Sequence, residues 1–350
     1  MDEGIGTAHS SFPARGHRPE NDRDTTHHTT HGGHPIVGRI LITTDYLVPG
    51  DDVDRLLRRH GHEPVYSPST GARHPSDRVA LFDGVDGAVL ASEPVTADML
   101  TGADRLKVLA RSGVGYDSID VAAATAAGIR VCNAPGTNHH SVAELTIGLI
   151  IMTARRLADV TTAVRAGRWP RDAGHELRGA TLGIIGYGPS GRATARLGIA
   201  LGMTVLVTTS HPDPDDSSVE FADLDTVVAT ADYLSLHTRA GKSARRLIDA
   251  PRLQAMKPTA VLVNTARGSL VDENVLAAAL RDGSIAAAAL DVLETEPLPQ
   301  DSPLRALENV IITSHLAGQT VEARARAGLA AAQAVIDVLA GREPAHPVDR

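Results

Sequence analysis

The chain has 350 residues, 42% of them hydrophobic and 22% charged, with a formal net charge of −8. That length gives material for about two domains with buried cores, and the acidic balance leaves no footprint for nucleic acid. The single cysteine, Cys132, excludes an internal disulfide framework and a cysteine-ligated zinc site; it lies in an apolar run and is expected to be buried and inert.

The first 34 residues are rich in His, Gly, Thr, Asp and Arg and carry no apolar periodicity. A disordered tail is expected there, with His27, His28, His31 and His34 as a weak alternative metal site. Neither an apolar leader core nor a bilayer-length apolar run is visible, which points to a cytoplasmic location without a membrane partner. From Pro35 the pattern turns globular. Strands are predicted at 36–43, 63–66, 87–91, 106–112 and 129–133, with helical segments at 53–60, 79–82, 95–101 (Thr96 its cap) and 121–128. Strands alternating with helices at this spacing imply a parallel sheet covered on both faces.

Residues 141–166 read as one long helix, with Val142, Leu145, Leu149, Met152 and Ala154 on its inner side and Gly167 and Trp169-Pro170 ending it. A second βα series starts at Thr181, with strands near 203–208, 233–236, 260–264, 286–290 and 310–313, each preceded by a helix-like segment. An Ala-rich helix over 321–339 closes the pattern. The fold class expected is α/β, with two doubly wound parallel-sheet domains and a cleft between them.

Four stretches carry chemistry. Gly186-Tyr187-Gly188-Pro189-Ser190-Gly191 has G-x-G-x-x-G spacing between a predicted strand and helix. There Gly186 permits the tight turn, Gly188 lets a pyrophosphate approach, and Gly191 lets helix and strand pack closely. The helix N-terminus offers free N–H groups to phosphates. The other three follow predicted strands of the second half: Asn264-Thr265-Ala266-Arg267-Gly268, Asp291 to Pro297, and His315-Leu316-Ala317-Gly318. A guanidinium can grip a carboxylate through paired hydrogen bonds. A histidine can give or take a proton, and a nearby carboxylate fixes its tautomer and favours its charged form. Together beside a dinucleotide turn, Arg267, Glu296 and His315 read as a catalytic set.

On these motifs, supported by Asn133 to Asn138 and Ser141-Val142-Ala143-Glu144, the chain resembles the D-isomer-specific 2-hydroxyacid dehydrogenases from about residue 36 to 345. The resemblance implies a substrate domain of 35–134 plus 316–345, a Rossmann domain of 135–315, and a homodimer joined through the latter. It implies a small 2-oxo or 2-hydroxy acid as partner and NAD(H) or NADP(H) as cofactor. Cofactor contacts are then expected from Gly186, Gly188, Pro189, Ser190, Gly191, Thr209, Ser210, Thr238, Thr265, Ala266, Arg267, Asp291, His315 and Gly318. Asp291 is expected near the nicotinamide-side ribose or amide. Backbone N–H groups of Ser112, Gly113, Val114 and Gly115 are expected on the substrate carboxylate, together with Arg267; a glycine-flanked turn after a strand can form such an anion nest.

Two departures bear on specificity. Where an NAD site places Asp or Glu after its second strand, this chain has Thr209, Ser210 and His211. That removes repulsion toward a 2′-phosphate and tilts the expectation slightly to NADP, with Arg239 the candidate cation. Where phosphoglycerate dehydrogenases place an arginine on the substrate phosphate, this chain has Leu90. Glyoxylate or hydroxypyruvate therefore fits better than 3-phosphoglycerate, which stays as the alternative. Formate oxidation is disfavoured, because those relatives have Gln where Glu296 stands, and no extra cation recommends phosphite. A dinucleotide-sensing corepressor-like scaffold is the alternative of another class.

Overall fold

The structure, a computed structural model, describes residues 38–68, 78, 80–240 and 246–348. The expected tail at 1–34, with the alternative metal site of His27, His28, His31 and His34, and the start of the strand expected from Ile36 lie outside the described residues. Among those described, the strands form two parallel sheets. Strands β1 (Arg39–Ile42), β2 (Glu63–Tyr66), β3 (Gly87–Leu90), β4 (Val108–Arg111) and β5 (Arg130–Cys132) join in the order β2-β1-β3-β4-β5. Helices α1 (Asp52–Arg59), α2 (Ala97–Leu100) and α3 (Val121–Ala126) connect them.

Next come α4 (His139–Ala154) and α5 (Leu157–Arg165), then the second series: β6 (Thr181–Ile185), α6 (Pro189–Ala200), β7 (Thr204–Thr208), β8 (Glu220–Phe221), α7 (Leu224–Thr230), β9 (Tyr233–Leu236), α8 (Ala250–Ala255), β10 (Val261–Asn264), α9 (Glu273–Asp282), β11 (Ala287–Leu290) and β12 (Val310–Ile312). The second sheet runs β12-β11-β10-β9-β6-β7-β8. Its strand order reverses at β6, so a crevice opens at the carboxyl ends of β6 and β9. Strands β9 and β10 are buried at every residue, as a parallel sheet with both faces covered requires.

Helix starts are written into the sequence. Asp51, Asp120, Asp223, Asp249 and Asp272 each accept the N–H three residues on, and Thr320 does the same for α10 (Val321–Leu339). Each such cap contributes about 1 kcal/mol. The last helix returns to the first sheet: Ala331, Ala332, Val335 and Ile336 pack with Ile40, Ile42, Val89 and Val108 in one core cluster. The chain then runs antiparallel along β5, where Val348 N–H donates to Val131 O at 2.9 Å and Asn133 N–H to His346 O at 3.2 Å.

Several expectations are corrected. The single helix over 141–166 is two, broken at Arg155 and at Arg156, whose φ of 48° is left-handed. Its buried residues are Ser141, Ala143, Thr146, Ile147, Leu149, Ile150 and Ala154, whereas Val142, Leu145 and Met152 are only partly buried. Because α4 is apolar nearly all round and packs against both α6 and the second sheet, no one stripe marks its inner side. Thr96 stands at the N-cap of α2, but its hydroxyl bonds the Asp98 side chain, not a backbone N–H. A 3₁₀ turn at Pro303–Ala306, not a helix, precedes β12, and the short edge strand β8 had no sequence signal.

Strand β9 ends beside His237, whose Nε2 lies 2.9 Å from Ser235 Oγ. Burial pulls its pKa from 6.5 down to about 4. The unfolded chain therefore takes up a proton below about pH 6.5 that the folded chain resists. Stability should be full above that pH and fall as pH drops toward 4, by on the order of 3 kcal/mol. Thermal melts from pH 7 to 4 should show the decline, and His237→Gln should flatten that part of it.

Candidate active site

The dinucleotide turn lies at the switch point. Gly186 has φ of 100° and its Cα faces the backbone of His237 and Thr238; a Cβ there would stand 2.6 Å from His237 O and 2.9 Å from Thr238 N. A Cβ on Gly191 would collide with the carbonyl oxygen of Gly186. Gly188 differs, since a Cβ there would meet nothing within 4 Å. It is the N-cap of α6, makes no side-chain cap and is followed by Pro189. Among the described residues the N–H groups of Ser190 and Gly191 have no acceptor. An open, uncapped helix N-terminus beside an open glycine is what a pyrophosphate needs, so the residues fit the expected cofactor.

At the end of β7, Thr209 Oγ1 accepts the His211 N–H at 3.3 Å, and Ser210 Oγ lies 2.8 Å from His211 Nδ1. The next residues are acidic. Arg192 lies 4.4 Å over the Tyr187 ring and pairs with Asp213 at 3.3 Å and Asp216 at 3.5 Å. Tyr187 donates to Asp216 at 2.7 Å, and burial together with that bond pushes its pKa to about 12. Arg239 is placed elsewhere: it lines a cavity of about 310 Å³ with Tyr116, Asn133, Pro135 and residues 345–348. It faces first-sheet loops, so the cation expected for a 2′-phosphate is not supplied beside Thr209.

His315 Nδ1 lies 2.9 Å from Glu296 Oε2, and Glu296 Oε1 accepts the Leu293 N–H at 3.0 Å. With Nδ1–H donating to the carboxylate, Nε2 is the free nitrogen. Burial raises the Glu296 pKa, but the bonds from His315 and Leu293 and the charges of His315 and Arg267 outweigh it and hold the carboxyl below its ordinary value. His315 itself has φ of 60°. Asp291 explains how that backbone is kept. Only 1% exposed, it accepts from the Thr313 hydroxyl, from Leu316 N–H at 2.7 Å and from Ala317 N–H at 2.8 Å, while its carbonyl accepts His315 N–H at 2.9 Å. Asp291, expected near the nicotinamide-side ribose or amide, is in this structure a buried brace for the turn that carries His315. Gly318 packs on Asn138, where a Cβ would meet Nδ2 at 2.7 Å.

Thr265 Oγ1 lies 3.0 Å from Thr146 Oγ1, and Ala266 N–H donates to Asn264 Oδ1 at 3.0 Å. Arg267 reaches out of that turn toward the first sheet. Its Nε donates to Asp117 Oδ2 at 2.8 Å and its Nη1 to Ala266 O at 2.7 Å. A Cβ on Gly115 would collide with its Nη2. The expected four-residue nest shrinks to two. Ser112 N–H is taken by Leu90 O at 3.0 Å and Gly113 N–H by Arg111 O at 2.8 Å, which leaves Val114 and Gly115 without acceptors among the described residues. Sequence reasoning missed two charged neighbours, Arg111 and Asp117. Arg111 donates to Leu90 O and Ser112 O; burial lowers its pKa, against the raising fields of Tyr46, Glu93 and Asp117. A cation and an anion flanking a glycine turn were the available signal; that Asp117 meets Arg267 was not.

A doubly wound sheet with an open glycine turn at its switch point has the form of a dinucleotide-binding domain. A family model described as "D-isomer specific 2-hydroxyacid dehydrogenase, NAD binding domain" matches residues 147–317. The chain is 39% identical to glyoxylate reductase of Thermofilum pendens over 271 residues, 75% of this chain and 80% of that protein. It is 40% identical to hydroxypyruvate reductase of Thermotoga maritima over 246 residues, 69% and 80% of the two chains. The crystal structure of TT0316 protein from Thermus thermophilus superposes with a TM-score of 0.81 at 37% identity, covering 89% of this chain and 99% of that one. The chain belongs to the D-isomer-specific 2-hydroxyacid dehydrogenase family. It is an oxidoreductase acting on the CH–OH group of a D-2-hydroxy acid with NAD(H) or NADP(H).

Gly191→Ala should push α6 off its turn. The expected result is at least a tenfold weaker NADH affinity by nucleotide fluorescence and a melting temperature several degrees lower.

Proposed function

We propose that the substrate is a small, singly charged 2-oxo acid, glyoxylate or hydroxypyruvate, reduced to the D-2-hydroxy acid. The observation that carries this is the free Nε2 of a Glu296-held His315, on the same crevice as Arg267 and the Val114–Gly115 N–H pair. Arg267 and that pair hold the substrate carboxylate, and Arg267 also polarises the carbonyl. When bound, the nicotinamide supplies the hydride that reaches C2. His315 Nε2 gives its proton to the carbonyl oxygen in reduction and takes it back in oxidation. Glu296 fixes the ring and stabilises the imidazolium. A phosphorylated acid fits poorly: Leu90 is fully buried, and the nearest charged side chain of its loop is the anionic Glu93.

The same proposal covers what surrounds the site. The substrate domain is 35–134 plus 316–345 and the cofactor domain 135–315, supported by α10 packing on the first sheet. Two copies join through the cofactor domain, where Ile151, Leu157, Val164, Leu201 and Trp169 leave apolar surface exposed, Trp169 at 78%. Sedimentation equilibrium should then give about twice the 36.6 kDa chain mass. The location is cytoplasmic, where nicotinamide dinucleotides are available. The acidic 213–216 loop and the commitment of Arg192 to it turn the cofactor preference to NADH. No helix among the described residues is long and apolar enough to cross a membrane.

The test is NADH and NADPH consumption with a panel of 2-oxo acids. Glyoxylate or hydroxypyruvate should give the highest kcat/KM, and NADH should exceed NADPH. His315→Gln should lower kcat by roughly 10²–10⁴ with NADH affinity retained. Near-normal kcat in that variant sinks the proton-transfer assignment.

A further inference from the structure

We propose that Asp117 is a positioning residue: reaching across the cleft from the loop after β4, it pre-sets the Arg267 guanidinium for the substrate carboxylate. This rests on the reading of Arg267 as a carboxylate-binding group.

The guanidinium is fixed at three points before any substrate arrives. Asp117 Oδ2 takes Nε at 2.8 Å, and the carbonyl of Ala266 takes Nη1 at 2.7 Å. Nη2 lies against the Cα of Gly115, beside the backbone N–H groups of Val114 and Gly115. Asp117 and Gly115 belong to the first-sheet side and Arg267 to the second. The contact therefore spans the cleft and leaves Nη2, with its donors unengaged, against the loop whose Val114 and Gly115 N–H groups have no acceptor among the described residues. A long side chain otherwise carries rotamer entropy that binding would have to overcome. With Asp117 in place, the free enzyme has already ordered it.

An opposing effect needs weighing. Asp117 is an anion close to where an anionic substrate binds. Its side chain is 65% exposed, so water screens it. Two further charges share the corner: Arg111 repels Arg267, and Glu93 faces Arg111. Asp117 also attracts Arg111, so its carboxylate lets two guanidinium groups stand close together. Pre-organisation exceeds repulsion, and the net effect of Asp117 is tighter substrate binding. An ion pair this exposed adds little to stability, so a purely structural role would leave the kinetics untouched.

The experiment uses the whole chain, with oxamate as a carboxylate probe and the best 2-oxo acid of the panel as substrate. Asp117→Asn should raise both the KM and the oxamate Ki by about tenfold. It should lower kcat by a smaller factor than it raises KM, leave NADH affinity unchanged and shift Tm by no more than a degree or so. Asp117→Glu should recover part of the loss. Unchanged KM and Ki in Asp117→Asn overturn the proposal. So does a lowered KM, which would make Asp117 a competitor of the substrate, or a loss that tracks a fall in Tm. Arg267→Gln separates the two readings. If it abolishes oxamate binding while Asp117→Asn does not weaken it, only this inference falls. If oxamate binding is indifferent to Arg267→Gln, the carboxylate-binding reading falls with it.

Discussion

Asp291 sits where the second sheet hands the chain back to the first. Burying an ionised carboxylate costs several kcal/mol unless every lone pair finds a donor. Here three donors close around it, two of them backbone N–H groups of the turn it braces, and bonds of this charge-assisted kind are about twice as strong as neutral ones. The turn gains a fixed shape in return. That matters because His315 sits at φ of 60°, a region that costs a residue with a Cβ about 1 kcal/mol or more. The left-handed backbone sends the imidazole toward Glu296 while the chain heads for Gly318 and α10. Loosening the brace would let the histidine, its carboxylate partner and the crossing of the chain move together.

The cleft follows from the order of the chain. The polypeptide leaves the first sheet after β5 and returns after β12, and the two crossings lie side by side. Ser141 Oγ meets Thr320 Oγ1 at 2.8 Å, Gly318 packs on Asn138, and Arg326 donates to Thr137 O at 2.9 Å. These contacts join the crossings to each other. The carboxyl ends of both sheets are then left to face one another. Groups more than a hundred residues apart, such as Asp117 and Arg267, meet there because each follows a strand whose direction is fixed by its parallel neighbours.

Most strands and their order of appearance were legible, because a parallel sheet buried on both faces writes short apolar runs between turn residues. Helix starts carry a local signal too, Asp at 51, 120, 223, 249 and 272, but the one cap singled out from the sequence was Thr96, whose hydroxyl turns to Asp98 instead. The Glu296–His315 pair could be suspected from residue types at neighbouring strand ends. What failed was decided in three dimensions. A helix apolar on all sides gave no period to show its break at Arg156. That Asp291 also braces the turn of His315 was not visible, because its donors Thr313, Leu316 and Ala317 follow a different strand. The 112–115 loop looked like four free N–H groups, yet Leu90 and Arg111 carbonyls claim two of them. Arg239 follows the right strand but faces the opposite loops.

The charges around the crevice bear on which acids the proposed site would accept. Arg267 and the Val114–Gly115 pair can meet one carboxylate. Arg111 adds a second guanidinium, but it is turned inward onto the carbonyls of Leu90 and Ser112. Glu93, on the loop leaving β3, has both carboxylate oxygens buried and without hydrogen-bond partners among the described residues. The field of Glu93 favours the charged form of Arg111, in balance against the burial that disfavours it. A substrate tail with a second negative charge would have to break that balance, since Leu90 offers it nothing and Glu93 repels it. A hydrogen or a hydroxymethyl group on C2 leaves the balance intact. Substrate choice in this reading follows from a crevice whose second guanidinium, Arg111, is already committed to backbone carbonyls.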